Sequence, residues 1–504
     1  MKKILIIGTI FVMIDQIFFG KFLWEIPSEA SWGTDFFYNY NYEKKRLEKG
    51  KEKRERIILL GSSVARYSFD SLRLEDYFKK AGVEREVRLL SHAGMTPIDA
   101  YCQRDAIEKM QPSLLVYPLN FVDFRIFRAF ELFAEKKLEE VEEKDLIKDA
   151  LDPRYAPQSR FIYPGEALID FYDYLDLESS TVLLSSTLFP FYRYREIAYD
   201  NLRYIYNHRY SRNTSYYWYQ GIQIPERVST LGWTGKKFSF EFKKYMKEEG
   251  FFLQIVPEII KKGELKIRFL SDNRPIEEFI FSKTGWQRVK LQNFIVGDRV
   301  TAELSETWIP YKATEDRFDY AKEEMGVRLQ ETFGLESPHK NFHIIREERS
   351  EDMRFETMTE EDYSNYFQFR LLQDREKRPG LVTMTLYKDA KLRLHTEKFR
   401  PFFHYKYLKK FVEEMQKRNI PTLLILNPEN PNSLIWYKDS QYVKDEKKFF
   451  LDLEDKQVYF WDIHSFLQGK DFSDYHHLTY RGAQKMNSIY GEKILEIISK
   501  LRKN

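Results

Sequence analysis

Residues Arg56 to Tyr67, RIILLGSSVARY, carry an unbroken apolar run into a Gly-Ser-Ser turn. An apolar run this short, closed by turn residues, suits a strand buried on both faces of a parallel sheet. The turn then sets Ser63 where the strand hands over to a helix. Open α/β folds bind their ligands at that carboxyl edge, and a helix start there offers backbone N–H groups to a developing oxyanion. A serine hydroxyl becomes a nucleophile when a base takes its proton and a carboxylate fixes the base. The far C-terminus supplies both kinds of group in FSDYHHL, residues Phe472 to Leu478, where Asp474 stands three residues before His477. Taken alone, Ser63 also reads as a helix N-cap, and His476 competes with His477 for the role of base.

Outward from this strand, apolar runs and amphipathic stretches alternate, which argues for an α/β unit. Strands are expected at Arg56 to Gly61, Val87 to Ser91 and Ser113 to Pro118, with helices at Ser71 to Ala81 and Pro97 to Met110. The alternation resumes far downstream, with helices at Tyr405 to Arg418, Lys444 to Leu453 and Tyr480 to Leu501, and strands at Pro421 to Asn427 and Gln457 to Asp462. Five strands with intervening helices suit a flavodoxin-like, doubly wound five-stranded parallel sheet. Between Phe124 and Lys398 the pattern breaks down. There Leu265 to Pro310 shows short alternating strands separated by Ser-Asp-Asn and Val-Gly-Asp turns, the pattern of an antiparallel β-sandwich. Thr181 to Tyr219 is rich in Tyr, Phe and Arg, and suits packing on a core or against a membrane surface. The expected division is an anchor over 1–22, a linker over 23–55, and an α/β domain in two halves, 56–130 and 399–504. An insertion over 131–398 separates the halves, with its sandwich near 225–335.

A serine just after the first strand and a short Asp-x-x-His near the end stand here in the order found in SGNH (GDSL-type) hydrolases, which the chain resembles. Within that superfamily it most resembles the membrane-anchored, polysaccharide-modifying branch: the alginate O-acetyltransferases and the D-alanine transfer protein of teichoic acid synthesis. That branch often shows Gly-Ser-Ser in place of Gly-Asp-Ser, and this chain reads Gly61-Ser62-Ser63. The resemblance implies the SGNH fold, Ser63 as nucleophile, Ser62 in the Asp slot, His477 as base and Asp474 as its orienting carboxylate. It implies three oxyanion donors: the Ser63 N–H, Gly94 in SHAGMTP and the Asn120 amide in YPLNFVDF. The third block departs from the family, with Pro118 where a glycine usually opens it and Asp123 three residues after Asn120 instead of next to it. His92 reads as a loop residue beside Gly94. Arg66 and Arg125 stand close behind the serine and asparagine blocks, where salt bridges with Asp70 and Asp123 are expected over an anionic substrate.

The N-terminus points to a membrane. Ile4 to Gly20 is apolar apart from Thr9, Asp15 and Gln16, follows Lys2 and Lys3, and is not followed by a small-residue cleavage site. Such a segment is about 25 Å long as a helix, the short end of a span, and the flanking charges orient the N-terminus to the cytoplasm. A buried N-terminal helix of a soluble protein is the other reading. The 504 residues exceed one ordinary core. Their net charge of +3, from 81 basic and 78 acidic residues, argues against bulk binding of nucleic acid. Cys102 is the single cysteine, so no intrachain disulfide forms, and no Gly-rich phosphate loop is present. No metal or cofactor is expected.

Together these features predict a membrane-anchored, extracytoplasmic serine O-acyltransferase or O-acyl esterase acting on an envelope polysaccharide. In the resembling systems a membrane-bound partner delivers the acyl group. The rival reading is a glycan-binding or scaffolding protein on the same fold, with catalysis lost. A Ser63 Oγ within hydrogen-bond reach of a His477 nitrogen favours the enzyme.

Overall fold

The computed structural model describes residues 9–25, 35–48, 55–124, 142–199, 234–242, 246–247, 250–256, 258–260, 263–271, 274–308, 325–330, 355, 358–367, 399–435 and 437–502. The chain divides into two compact units. One comprises Met1–Gln16, Asn39–Tyr194 and Met358–Asn504, and the other Ile17–Tyr38 and Arg195–Thr357.

The first unit is built on one five-stranded sheet. Its strands are β1 (Arg56–Gly61), β2 (Glu86–Ser91), β3 (Leu114–Leu119), β4 (Thr422–Leu426) and β5 (Val458–Asp462). Their order across the sheet is β5-β4-β3-β1-β2, and every pairing is parallel. Every residue of β1, β3 and β4 is buried, which is why these strands read as continuous apolar runs and not as alternating ones. Residues of β1, β3 and β4 such as Ile57, Leu59, Val116 and Ile425 share one core with α1 (Ser63–Ser68), α2 (Ser71–Lys80) and, at the C-terminus, α9 (Tyr480–Leu501). On the other face Tyr117 meets Phe411 edge to face, with ring centroids 5.9 Å apart.

Phe411 belongs to α7 (His404–Lys417), which packs on α3 (Pro97–Cys102). The stretch expected as one helix from Pro97 to Met110 is two, because Gln103 leaves helical backbone values (φ −98°, ψ 2°) and turns its amide back onto the Asp99 carbonyl, 2.9 Å away. The second piece is α4 (Arg104–Met110). Two further helices of this unit, α5 (Pro164–Phe171) and α6 (Leu177–Leu188), lie in a stretch without legible alternation, and α8 (Gln441–Leu451) precedes β5. Arg56 opens β1 fully enclosed, paired with Glu86 at 2.8 Å and donating to the carbonyls of Leu47 and Met110.

In the second unit, Lys237–Glu241, Arg299–Leu304, Leu265–Ser271 and Arg274–Phe281 form one antiparallel sheet in that order, and Arg328–Gln330, Phe251–Ile255 and Gly285–Val289 another. One apolar core draws on both sheets, with Phe240 and Phe251 edge to face at 5.4 Å. The alternation in LKIRFLS is realised as Leu265, Ile267 and Phe269 inside with Lys266 and Arg268 outside. Of the apolar N-terminal stretch, the described part begins at Thr9 and runs as helix into a π-helical turn, Asp15–Phe19. Among the described residues no helix is long and apolar enough to cross a membrane, and the first residues of the expected Ile4 to Gly20 span lie outside them.

The start of α9 is closely fitted. A Cβ at Gly482 would stand 2.3 Å from the Asp471 carbonyl oxygen, which accepts from the backbone N–H of Thr479 at 2.8 Å. Gly482→Ala should therefore lower stability by about 1–3 kcal/mol, read as a lower midpoint in chemical denaturation. An unchanged midpoint would contradict this packing.

Candidate active site

β1 ends at Gly61, whose carbonyl accepts from His92 N at 3.3 Å. The chain then turns into α1. Ser62 is its N-cap, extended in backbone and accepting from Val64 N at 3.1 Å. The capping role open to Ser63 thus falls to its neighbour, and the Ser63 hydroxyl is left for other contacts. It lies 2.9 Å from His477 Nε2.

His477 sits in the loop between β5 and α9, and that loop is tightly specified. Phe472 and Leu478 form an antiparallel bridge, and Ser473 donates to the His477 carbonyl through its backbone N–H (2.9 Å) and its hydroxyl (3.2 Å). Within the turn Asp474 Oδ1 accepts from the backbone N–H of His476 (3.0 Å) and of His477 (2.8 Å), an Asx arrangement that fixes the carboxylate. Its Oδ2 lies 2.6 Å from His477 Nδ1. A carboxylate at Nδ1 places the proton there, so Nε2 is the acceptor facing Ser63. The Tyr67 ring packs on His477 at 4.7 Å and completes its orientation.

Desolvation works against the Asp474 charge. Attraction to His477 and His476, with the hydrogen bonds just described, outweighs it and holds the carboxyl well below the usual carboxylate range. His476 is buried and points elsewhere, with its Nδ1 4.0 Å from Asp474 Oδ1 and its ring edge-on to Phe121 at 6.2 Å. It is therefore an enclosed residue that does not face Ser63 as His477 does. Ligand atoms of Asp474, His476 and His477 lie within 4.8 Å of one another, but both His477 nitrogens are engaged. A metal ion held there would break the contact with Asp474 or with Ser63.

Gly94 and Asn120 follow β2 and β3, the two strands flanking β1, and so share the sheet edge with Ser63. Gly94 has φ +76°, a value that favours glycine and lets the backbone approach a ligand. Its turn is braced by Asp99 Oδ2, which accepts from Thr96 N and Thr96 Oγ, both at 2.7 Å, while Oδ1 accepts from the Tyr163 hydroxyl. Asn120 is buried. Its Oδ1 accepts from Val122 N at 3.3 Å, its backbone N–H donates to Asp123 at 3.0 Å, and its Nδ2 has no protein acceptor among the described residues. Val122 packs on Val64, next to Ser63. The Pro118 and Asp123 departures are thus accommodated: Pro118 lies in β3, and Asp123 caps the turn that presents Asn120. His92 is buried against Tyr40, with ring centroids 5.7 Å apart. Asp70 caps α2 and pairs with Arg73 at 3.3 Å, and Arg125 lies outside the described residues.

Sequence reasoning missed the residues that hold the Asp474 loop from outside. Asn430 donates through Nδ2 to the Asp474 carbonyl (2.9 Å) and to the Tyr363 hydroxyl (3.0 Å), and through its backbone N–H to the Tyr475 carbonyl (3.0 Å). Tyr363 donates to the Phe472 carbonyl at 2.6 Å. Asn427 accepts from the Tyr490 hydroxyl at 2.6 Å and donates to Ser68 at 2.8 Å, tying α9 and α1 to the end of β4. The available signal was the run NPENPN, 427–432, at the end of a buried strand, where polar residues at a sheet's carboxyl edge call for an explanation.

The profile of an uncharacterized protein family matches residues 28–499. An uncharacterized protein of Leptospira interrogans serogroup Icterohaemorrhagiae serovar Lai (strain 56601) is 44% identical over 507 residues, covering 99% of this chain and 96% of the relative. The chain belongs to this family. The matched stretch spans both compact units.

Two measurements follow from this geometry. Tyr363→Phe leaves the Phe472 carbonyl without its donor, and should cost about 1–3 kcal/mol in chemical denaturation while keeping the ring packing. No loss would remove Tyr363 from the support of the loop. Asp474 is ionised more readily folded than unfolded, so its contribution is present above about pH 4 and lost as pH falls further. The thermal midpoint of wild type should exceed that of Asp474→Asn at neutral and mildly acidic pH, and the gap should close only below that value. A gap already closed at pH 6 would contradict the assignment.

Proposed function

We propose that this protein is a serine O-acyltransferase or O-acyl esterase of the SGNH type, with Ser63, His477 and Asp474 as its catalytic triad. The observation that carries the reading is the 2.9 Å contact of Ser63 Oγ with His477 Nε2, backed by the 2.6 Å contact of Nδ1 with Asp474. A serine, a base and an orienting carboxylate in hydrogen-bonded series are what acyl transfer requires. No observation of comparable weight favours the binding or scaffolding reading.

In the first step Ser63 Oγ attacks the carbonyl carbon of an acyl donor as its proton passes to His477 Nε2. Asp474 stabilises the imidazolium without taking a proton. The Ser63 N–H, Gly94 and the Asn120 amide hold the oxyanion, and the unpartnered Asn120 Nδ2 is the donor best suited to it. Collapse expels the alcohol, which takes the proton from His477 and leaves acyl-Ser63. In the second step His477 accepts the proton of a water or sugar hydroxyl as that oxygen attacks the ester, and returns it to Ser63 Oγ as the bond to the serine breaks.

The strand order 2-1-3-4-5, with Ser63 beside the point where the order reverses, supports the flavodoxin-like, doubly wound arrangement of that superfamily. The two antiparallel sheets of the second unit support the reading of the insertion as a β-sandwich. The envelope polysaccharide substrate, the extracytoplasmic location and a membrane-bound acyl-delivery partner rest on the resemblance. The apolar N-terminal helix, whose Ile10, Phe11, Met13 and Ile14 are exposed, supports the membrane anchor.

Hydrolysis of a small ester such as p-nitrophenyl acetate tests the mechanism. Ser63→Ala should lower the rate by roughly 10⁴-fold or more and His477→Ala nearly as much, with a larger residue of activity in Asp474→Ala. His476→Ala should be mild. Full activity in Ser63→Ala would overturn the proposal, and loss in His476→Ala with retention in His477→Ala would move the base by one residue.

A further inference from the structure

Large exposed apolar side chains in the described part of the first unit are not evenly spread. Ile435, Leu451 and Phe466 are scattered singly, whereas the others lie on the N-terminal helix or between Tyr155 and Phe191. The second group centres on α6, whose buried face is mostly serine. Ser179, Ser180 and Ser186 are buried together with Leu183, while Leu177 is 84%, Leu184 48% and Leu188 52% exposed. A water-facing helix does the opposite. No charged residue occurs from Ser179 to Tyr192.

Three of the hydroxyls on α6 bond within the helix. Thr181 donates to the Leu177 carbonyl (2.6 Å), Ser186 to Val182 (2.7 Å) and Thr187 to Leu183 (2.8 Å). Internal satisfaction of polar groups is what a hydrocarbon surrounding demands. The helix's N-terminal end is different, because Asp176 and Glu178 pair there with Arg154, and Tyr172 and Tyr174 lie exposed beside it. Charges and tyrosines at one end and apolar side chains beyond them suit a headgroup boundary. At twelve residues α6 is about 18 Å long, too short to span a bilayer but long enough to lie in its surface.

The N-terminal helix meets α6 at the far end. Asp15 Oδ1 accepts from Phe191 N at 2.5 Å, and Gln16 Nε2 donates to the Leu188 carbonyl at 3.1 Å. A chain that enters the membrane through that helix therefore brings the α6 face to the same lipid surface.

We infer that α6 and the end of α5 form a second membrane contact, embedded sideways in the lipid interface beside the N-terminal helix. The occupant of the exposed face is the bilayer itself. This inference rests on the anchor reading for its placement, and the experiment separates the two. Full-length Leu184→Cys, Ile10→Cys and Leu451→Cys proteins are each labelled with a nitrobenzoxadiazole thiol probe, the native Cys102 being buried. They are reconstituted into phosphatidylcholine and phosphatidylglycerol vesicles with or without doxyl-labelled lipid.

The probes at 184 and 10 should both lose fluorescence to the doxyl lipid, with position 184 quenched most by a shallow label, while position 451 keeps its signal. Quenching at 10 without quenching at 184 would overturn the inference and leave the anchor standing. Quenching at 184 alone would uphold the lipid contact and remove the anchor. Quenching at neither would remove both, and equal quenching at 451 would reduce the contact to general adsorption. Bismaleimide cross-linking of two copies through position 184, with no quenching there, would assign the face to a second copy and overturn the proposal.

Discussion

β3 and β4 come from opposite halves of the chain, and their parallel ladder, from Leu115 opposite Thr422 to Leu119 opposite Leu426, turns two αβ fragments into one sheet. Without it Ser63 and His477 have no reason to meet. With it, the carboxyl ends of all five strands align along one edge, so the residues that follow each strand converge: Ser63 after β1, Gly94 after β2, Asn120 after β3 and Asn430 after β4. The strands themselves are almost wholly apolar, and the polar chemistry begins within a few residues of their ends. A shift of one residue in this ladder would move each side chain from the core on one face of the sheet to the core on the other.

On that edge the Asp474 turn is the most constrained element. Its carboxylate is held by two backbone N–H groups and one imidazole, and its carbonyl by Asn430. The supports are mostly neutral donors, which orient the carboxylate without competing with His477 for its charge. Tyr363 and Asn430 matter for the same reason. They fix the height of the loop over the sheet, and with it the distance between His477 and a serine on a different strand.

Much of this was legible in the chain. The five strands stood out because a parallel strand buried on both faces leaves an apolar run closed by turn residues, and Ile57, Leu115 and Leu424 lie in such runs. Asp474 and His477 were legible because their pairing is local, within one turn. Asn427, Asn430 and Tyr363 were not, since each acts on a partner distant in sequence and none carries a distinctive spacing. The break at Gln103 arises from a single side chain bonding to its own helix, which periodicity does not record. The helices between Glu143 and Leu188 were missed for a physical reason as well. In α6 three serines lie buried beside Leu183 while Leu177, Leu184 and Leu188 are exposed, so the usual relation between apolar period and burial fails there.

The position of His477 in the last loop has a consequence for how the protein is made. During synthesis β1, β2 and β3 are complete long before β4, β5 and α9 exist, and β3 then presents an open edge of unpaired backbone groups. Ser63 has no histidine beside it in that state. The hydroxyl meets His477 only after the stretch from β4 to α9 has emerged and docked on β3. A chain cut short anywhere before Asp474 would carry the serine without these neighbours, so the site comes together only when both halves of the sheet are present.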